Sequence, residues 1–256
     1  MPRRGKGKHA LRVNILQKGG FVIYLHAMKK ETSIRTSLRK AAYVFACLVL
    51  ACILVVAVAV LIRTFRMDTG ARIDLHGYLA IGFAAFFAVF AVPRLGSNFR
   101  WLMKFTHEFT HMIFAILFFR KIQRFKVDSK ESYVSYSGGW FGYHAITLSP
   151  YCVPIFTLVL LPWRFTTATD FKTYLAIIDI LIGFSYAFHV CCWAKQIRLH
   201  QTDITGPGII LSLLVIAIFQ LLNLSLVVLT PSSGVENAIE RVFWEFPRDF
   251  ILSLWG

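Results

Sequence analysis

Predominantly apolar runs separated by short basic or polar connections dominate the chain. The runs occupy 41–62, 77–92, 101–119, 145–163, 171–194 and 207–229. Crossing roughly 30 Å of hydrocarbon takes about 20 apolar residues in a helix. Run 41–62 supplies 22 residues without a charge. It exceeds the usual apolar core of a cleaved signal peptide, so an uncleaved anchor is expected. Run 77–92 is short for a full crossing. The pattern predicts an all-α polytopic membrane protein of about six hydrophobic helices.

The connection 120–143 has another rhythm. Ile122, Phe125 and Val127 precede Asp128, Ser129 and Lys130, which form a plausible turn. Tyr133, Val134 and Tyr136 then lead to Gly138-Gly139. This reads as a small β-hairpin, with a plain basic loop as the alternative. Residues 235–256 mix apolar positions with Glu236, Glu240, Arg241, Glu245, Arg248 and Asp249, and Pro247 interrupts them. They read as an amphipathic interfacial segment. Three regions follow: a basic N-terminal tail 1–40, a membrane-embedded domain 41–234 and an amphipathic segment 235–256.

Composition strengthens the membrane reading. Hydrophobic residues make up 57% of the 256, against about 45–50% in soluble domains. The formal charge of +15 raises the possibility of nucleic-acid binding, but no nucleic-acid motif accompanies it. The tail alone carries eleven Lys/Arg against Glu31, so 11 − 1 gives +10. Such a tail is expected to be mobile and to rest on anionic lipid headgroups. Met28 is an alternative start. With six spans and an inside N-terminus, inside regions hold sixteen Lys/Arg against ten outside, or ten each from Met28. The positive-inside rule then sets no orientation. Cys47, Cys52, Cys152, Cys191 and Cys192 form neither a CxxC pair nor a disulfide framework. They read as small buried hydrophobes.

One run carries chemistry. Within 101–119, HEFTH (107–111) places His107 and His111 four residues apart, on one helix face. Both imidazoles can reach one metal, with Glu108 close enough to act on water at that metal. This is the arrangement of zinc metalloproteases. Chance would produce such a match about 0.006 times in a chain of this composition. An ionisable cluster inside an apolar run is a functional hypothesis by default.

Catalytic zinc takes a third protein ligand. His144, Asp170, Asp179, His189, His200 and Asp203 are candidates. Asp203 is favoured because Gly206, Pro207 and Gly208 break the helical pattern beside it. Broken backbone at membrane depth is tolerated where it lines a cavity. His189 is the runner-up. Asp179 could instead orient a ligating imidazole. Asn223, inside the last run, could bond substrate or hold helices together.

Together these residues resemble the site-2 protease family of intramembrane zinc metalloproteases, of the M50 type. The likeness covers about 100–230. It rests on HEFTH, on the basic turn and candidate strands ending at Gly138-Gly139, on SPYCVP (149–154), and on QTDITGPG (201–208) opening the last run. The resemblance implies zinc held by His107, His111 and Asp203, with Glu108 activating the zinc-bound water that attacks a peptide bond. It also implies membrane-anchored protein substrates; the length and the basic tail suit a multi-pass protein of a bacterial inner membrane. The family's usual third-ligand motif has glycine directly after the aspartate, whereas here Ile204 and Thr205 intervene.

Other classes fit less well. A di-iron membrane oxidase needs several histidine boxes, and only His107/His111 form one. A gluzincin needs a distal glutamate in the apolar core, and Glu131, Glu236, Glu240 and Glu245 lie outside it. A scaffold or transporter is the non-enzymatic alternative.

Overall fold

The computed structural model describes residues 7–68, 73–128, 131–139, 141–167 and 171–255. It divides into two compact units, Met1–Val49 and Leu50–Gly256. Helix α1 spans Gly7–Asp68, so backbone expected as a mobile tail is helical from Gly7. The side chains of 1–35, with their expected lipid contacts, lie outside the described residues. So do Met28 as a start and the turn residues Ser129 and Lys130.

The chain continues through α2 (Ile73–Ala91), α3 (Pro93–Leu117), β1 (Ile122–Val127), β2 (Ser132–Tyr136), α4 (Tyr143–Cys152) and α5 (Ile155–Thr166). There follow α6 (Lys172–Gln196), α7 (Thr202–Thr205), α8 (Ile209–Ser233), α9 (Val235–Glu240), a π-helical turn Arg241–Glu245 and α10 (Phe246–Leu252). The fold is mostly helical, with one two-stranded antiparallel sheet. Among the described residues three stretches are long and apolar enough to span a membrane: Thr36–Arg66, Lys172–Gln196 and Ile209–Ser233. The bent pair α4–α5 makes a fourth if it counts as one span. Six apolar runs therefore do not translate into six long apolar helices. Run 77–92 falls in a shorter apolar helix. Run 101–119 belongs to a helix that begins at Pro93 and includes Arg100, Lys104 and Glu108.

Helices α2 and α6 touch backbone to backbone. A Cβ on Gly82 would lie 1.9 Å from the Ile180 carbonyl oxygen, and one on Gly183 would lie 2.1 Å from that of Leu79. Small residues allow such close crossings in membrane bundles. Beside the crossing, buried Phe86 packs on Phe90, Phe99, Phe184 and Phe188, tying α3 to both helices.

The helix break at Val153-Pro154 bends α4 and α5 by 74°. Breaking a helix strands its last carbonyls. Helix α8 supplies partners: Gln220 Nε2 donates to the Tyr151 carbonyl at 2.5 Å, and Asn223 Nδ2 to that of Cys152 at 2.8 Å. Asn223 therefore serves as inter-helical glue. Elsewhere Arg164 Nε donates to buried Asp179 Oδ1 at 2.8 Å, tying the end of α5 to α6.

The hairpin pairs Val127 with Ser132 and Ile122 with Tyr136, with an irregularity between Ile122 and Arg124. Its turn closes where the Glu131 amide donates to Asp128 Oδ1 at 2.7 Å. Glu131 and Asp128 raise the Lys126 ammonium above its usual pKa. Phe125 packs edge-on against Phe105 of α3, which sets the sheet on the helix that carries the motif. The Gly138-Gly139 pair serves Arg120, whose Nη1 donates to the Gly138 carbonyl at 2.6 Å. A Cβ on Gly139 would meet that guanidinium at 1.9 Å.

Candidate metal centre

Helix α3 presents His107 and His111 one turn apart, their ring centroids 4.8 Å apart. Asp203 comes from α7, across the site. Its Oδ2 lies 3.3 Å from His107 Nε2 and 3.5 Å from His111 Nε2. All three candidate ligand atoms fall within 4.8 Å of one another. Ligand atoms about 2.0–2.1 Å from a tetrahedral zinc stand roughly 3.3 Å apart. Two of the three edges match that spacing, and the donor set of two imidazoles and a carboxylate suits zinc. Among the described residues this is the group that could hold a metal ion.

Local chemistry turns each candidate ligand. His111 Nδ1 lies 2.8 Å from the Ile146 carbonyl of α4. A carbonyl only accepts, so Nδ1 carries the proton and Nε2 keeps its lone pair for a metal. That carbonyl is available for a reason written in the sequence. In an α-helix the amide of residue 150 would bond it, but residue 150 is proline and has no N–H. The Ser149 hydroxyl also donates to this oxygen, at 2.8 Å. Pro150 thus frees an acceptor that orients His111.

Asp203 is held as closely. Gln201 Nε2 donates to Oδ2 at 3.0 Å and Tyr151 Oη at 3.3 Å. Tyr151 is fully buried and sits edge-on to the His107 ring at 5.2 Å. Burial pushes the Asp203 carboxyl up, but in the metal-free protein protonated imidazoles of His107 and His111 donate to it and hold it well below the usual carboxylate range. The residues between Asp203 and glycine have their own role. Ile204 is fully buried beside Leu148, Tyr151 and Ile216, and its carbonyl accepts from Ser212 Oγ at 3.0 Å. They form the turn of α7, after which Gly206 passes against Tyr143 Oη, where a Cβ would lie at 2.3 Å.

The other candidates stand apart from this group. His189 is buried against Gln220, its Nε2 3.1 Å from Gln220 Nε2. Asp179 pairs with Arg164 and orients no ligating imidazole. His144 and His200 are exposed, and Asp170 lies outside the described residues. Of the glutamates, Glu131 is in the hairpin turn, paired with Lys126. Tyr151 and Gln201 were missed by sequence reasoning. Tyr151 lies inside SPYCVP and Gln201 inside QTDITGPG, and asking what would bond the Asp203 carboxylate was the available signal.

Two cavities meet at Glu108. One, of about 260 Å³, adjoins His111 and Asp203 and is lined by β2 residues Ser132, Tyr133, Val134 and Tyr136. The other, of about 560 Å³, opens past Lys104, Lys195 and Arg198. His107 and Glu108 line both.

No curated protein and no solved structure matches the chain significantly. The family model described as Peptidase M50B-like matches residues 79–240, which span α2 to α9 and include the whole centre. The chain therefore belongs to the Peptidase M50B-like family, membrane metallopeptidases of the site-2 protease kind.

Proposed function

We propose that the chain is an intramembrane zinc metalloprotease that hydrolyses peptide bonds of membrane-anchored protein substrates. His107, His111 and Asp203 hold the metal, and Glu108 is the general base. The observation that carries this reading is the convergence of two imidazole Nε2 atoms on one Asp203 oxygen, with Glu108 lining the cavities beside it. When bound there, zinc supplies Lewis acidity, lowering the pKa of water towards about 7 and polarising a carbonyl. The Glu108 carboxylate takes the proton from the attacking water and passes it to the leaving amine. Tyr151 and Gln201 keep Asp203 turned towards the imidazoles.

A helical substrate hides its peptide bonds and must unwind first. Strand β2 pairs with β1 on one side, and its residues line the cavity beside Glu108. The unwound segment adds to β2 as a further strand, its backbone bonded across the edge. In this reading α2, which is shorter, and α3, which is as long but more polar, join the long apolar helices, making about six membrane-embedded helices. The basic N-terminal segment lies on anionic lipid headgroups, and a bacterial inner membrane is the proposed location.

Elemental analysis of the detergent-purified protein tests the centre. Near-stoichiometric zinc is expected in wild type and in Glu108→Gln, with loss in His107→Ala and reduction in Asp203→Ala. Zinc retained in Asp203→Ala would remove it from the ligand set. A wild type without zinc under non-chelating conditions would sink the metalloprotease reading.

A further inference from the structure

The larger cavity beside Glu108 has an unusual wall. Lys104 precedes Glu108 by one turn of α3. Lys195 sits in the last turn of α6. Arg198 and His200 come from the connection that goes on to Gln201 and Asp203. The chain that delivers Asp203 to the imidazoles therefore also delivers two basic residues to this pocket. Three Lys/Arg face one carboxylate, so 3 − 1 leaves +2 before any contribution from His200. The smaller cavity, which runs on along β2 to Tyr133, Val134 and Tyr136, has no Lys or Arg among the described residues of its lining. The cleft is thus charged asymmetrically about the general base.

We infer that this basic cavity is a substrate subsite that selects a carboxylate side chain next to the scissile bond, on the side of the α6–α7 connection. The inference rests on the protease reading and adds a specificity to it. Arg198 is exposed, and a guanidinium fork matches a carboxylate in two parallel hydrogen bonds. Lys195 Nζ stands 4.4 Å over the Phe90 ring, which holds its charge at the rim. A lipid phosphate has similar chemistry, but its headgroup would fill a wall that includes His107 and Glu108 and would shut substrate out. A substrate group reaching the same wall enters with the bond to be cut.

The test uses the full-length, zinc-loaded Glu108→Gln protein in neutral detergent. It measures fluorescence anisotropy with short labelled apolar peptides, identical except that one end carries glutamate, glutamine or lysine. The glutamate peptide is expected to bind about five- to tenfold tighter than the glutamine peptide at low salt, with the gap closing as salt rises. Arg198→Glu leaves two lysines against one glutamate in this Glu108→Gln background and is expected to abolish most of the preference for the glutamate peptide. Lys195→Gln, a milder change, is expected to narrow the gap. Equal binding of the three peptides would overturn the inference. So would displacement of all three alike by phosphatidylglycerol micelles, which would assign the cluster to headgroups. Cleavage of the same peptides by wild type reads the protease proposal separately. Charge preference without cleavage sinks the protease and keeps an anion site, whereas cleavage without preference does the reverse.

Discussion

Replacing Pro150 by alanine should make the helix better and the metal centre worse. Proline inside a helix costs about 3 kcal/mol, through its ring clash and its missing N–H. Alanine removes that cost and restores an amide aimed at the Ile146 carbonyl. Both lone pairs of that oxygen are already engaged, by Ser149 Oγ and His111 Nδ1, each at 2.8 Å. The new amide competes with the imidazole, the one partner not tethered to the same helix. Losing an outer partner of a metal-ligating histidine lowers metal affinity about 10–100-fold, or about 1.4–2.8 kcal/mol. Zinc affinity by chelator competition and thermal unfolding of the metal-free protein separate the two effects. The expected result is weaker zinc with equal or higher unfolding temperature. Pro162→Ala in α5 is the control, since it relieves a helix without freeing or filling an acceptor at the centre. Unchanged zinc affinity in Pro150→Ala would refute the view that this proline orients His111.

Tyr151→Phe keeps the buried ring and deletes one donor to Asp203 Oδ2; zinc affinity should fall about tenfold with little change in folding, measured by the same competition. Gly82→Ala drives a methyl against the Ile180 carbonyl, 1.9 Å from its ideal position; destabilisation of about 1–3 kcal/mol or more is expected, read as a lower unfolding temperature.

The HEFTH motif was legible because its chemistry is local: two histidines four apart share a helix face whatever surrounds them. The hairpin was legible for the same reason, its turn closing on Asp128 within four residues. Asp203 emerged as a candidate from the glycines beside it, although its approach to α3 depends on α4 and α8. The span count was less legible. Apolar runs mark burial, but α3 reaches back to Pro93 and includes Arg100 and Lys104, and α4–α5 is broken. The partners of the other long-range pairs escaped. Nothing local joins Asp179 to Arg164, or Asn223 to the Cys152 carbonyl, because each partner lies on another helix.

The prolines of SPYCVP explain why a broken helix sits beside the centre. Pro150 frees the Ile146 carbonyl inwards, to His111. Pro154 follows the end of α4, and the Tyr151 and Cys152 carbonyls accept from Gln220 and Asn223 of α8. Tyr151 stands between the two prolines, so its backbone is clamped to α8 while its hydroxyl reaches Asp203. Helix α8 follows the short α7 that carries Asp203, and Ser212 of α8 bonds the carbonyl of Ile204. A closed circuit results, from α3 through His111 to α4, through Gln220 and Asn223 to α8, and through α7 and Asp203 back to the imidazoles. Every link except the α7–α8 connection is a hydrogen bond or the metal-ligand convergence itself, and each backbone acceptor taken from α4 is one that a proline or a helix end leaves open. Apolar packing can hold helices together at many registers. Polar links of fixed length permit few, and a three-residue metal centre needs its ligands placed to within a fraction of an ångström. Broken, polar backbone in an apolar bundle is therefore the means by which His107, His111 and Asp203, from two distant segments, are kept in register.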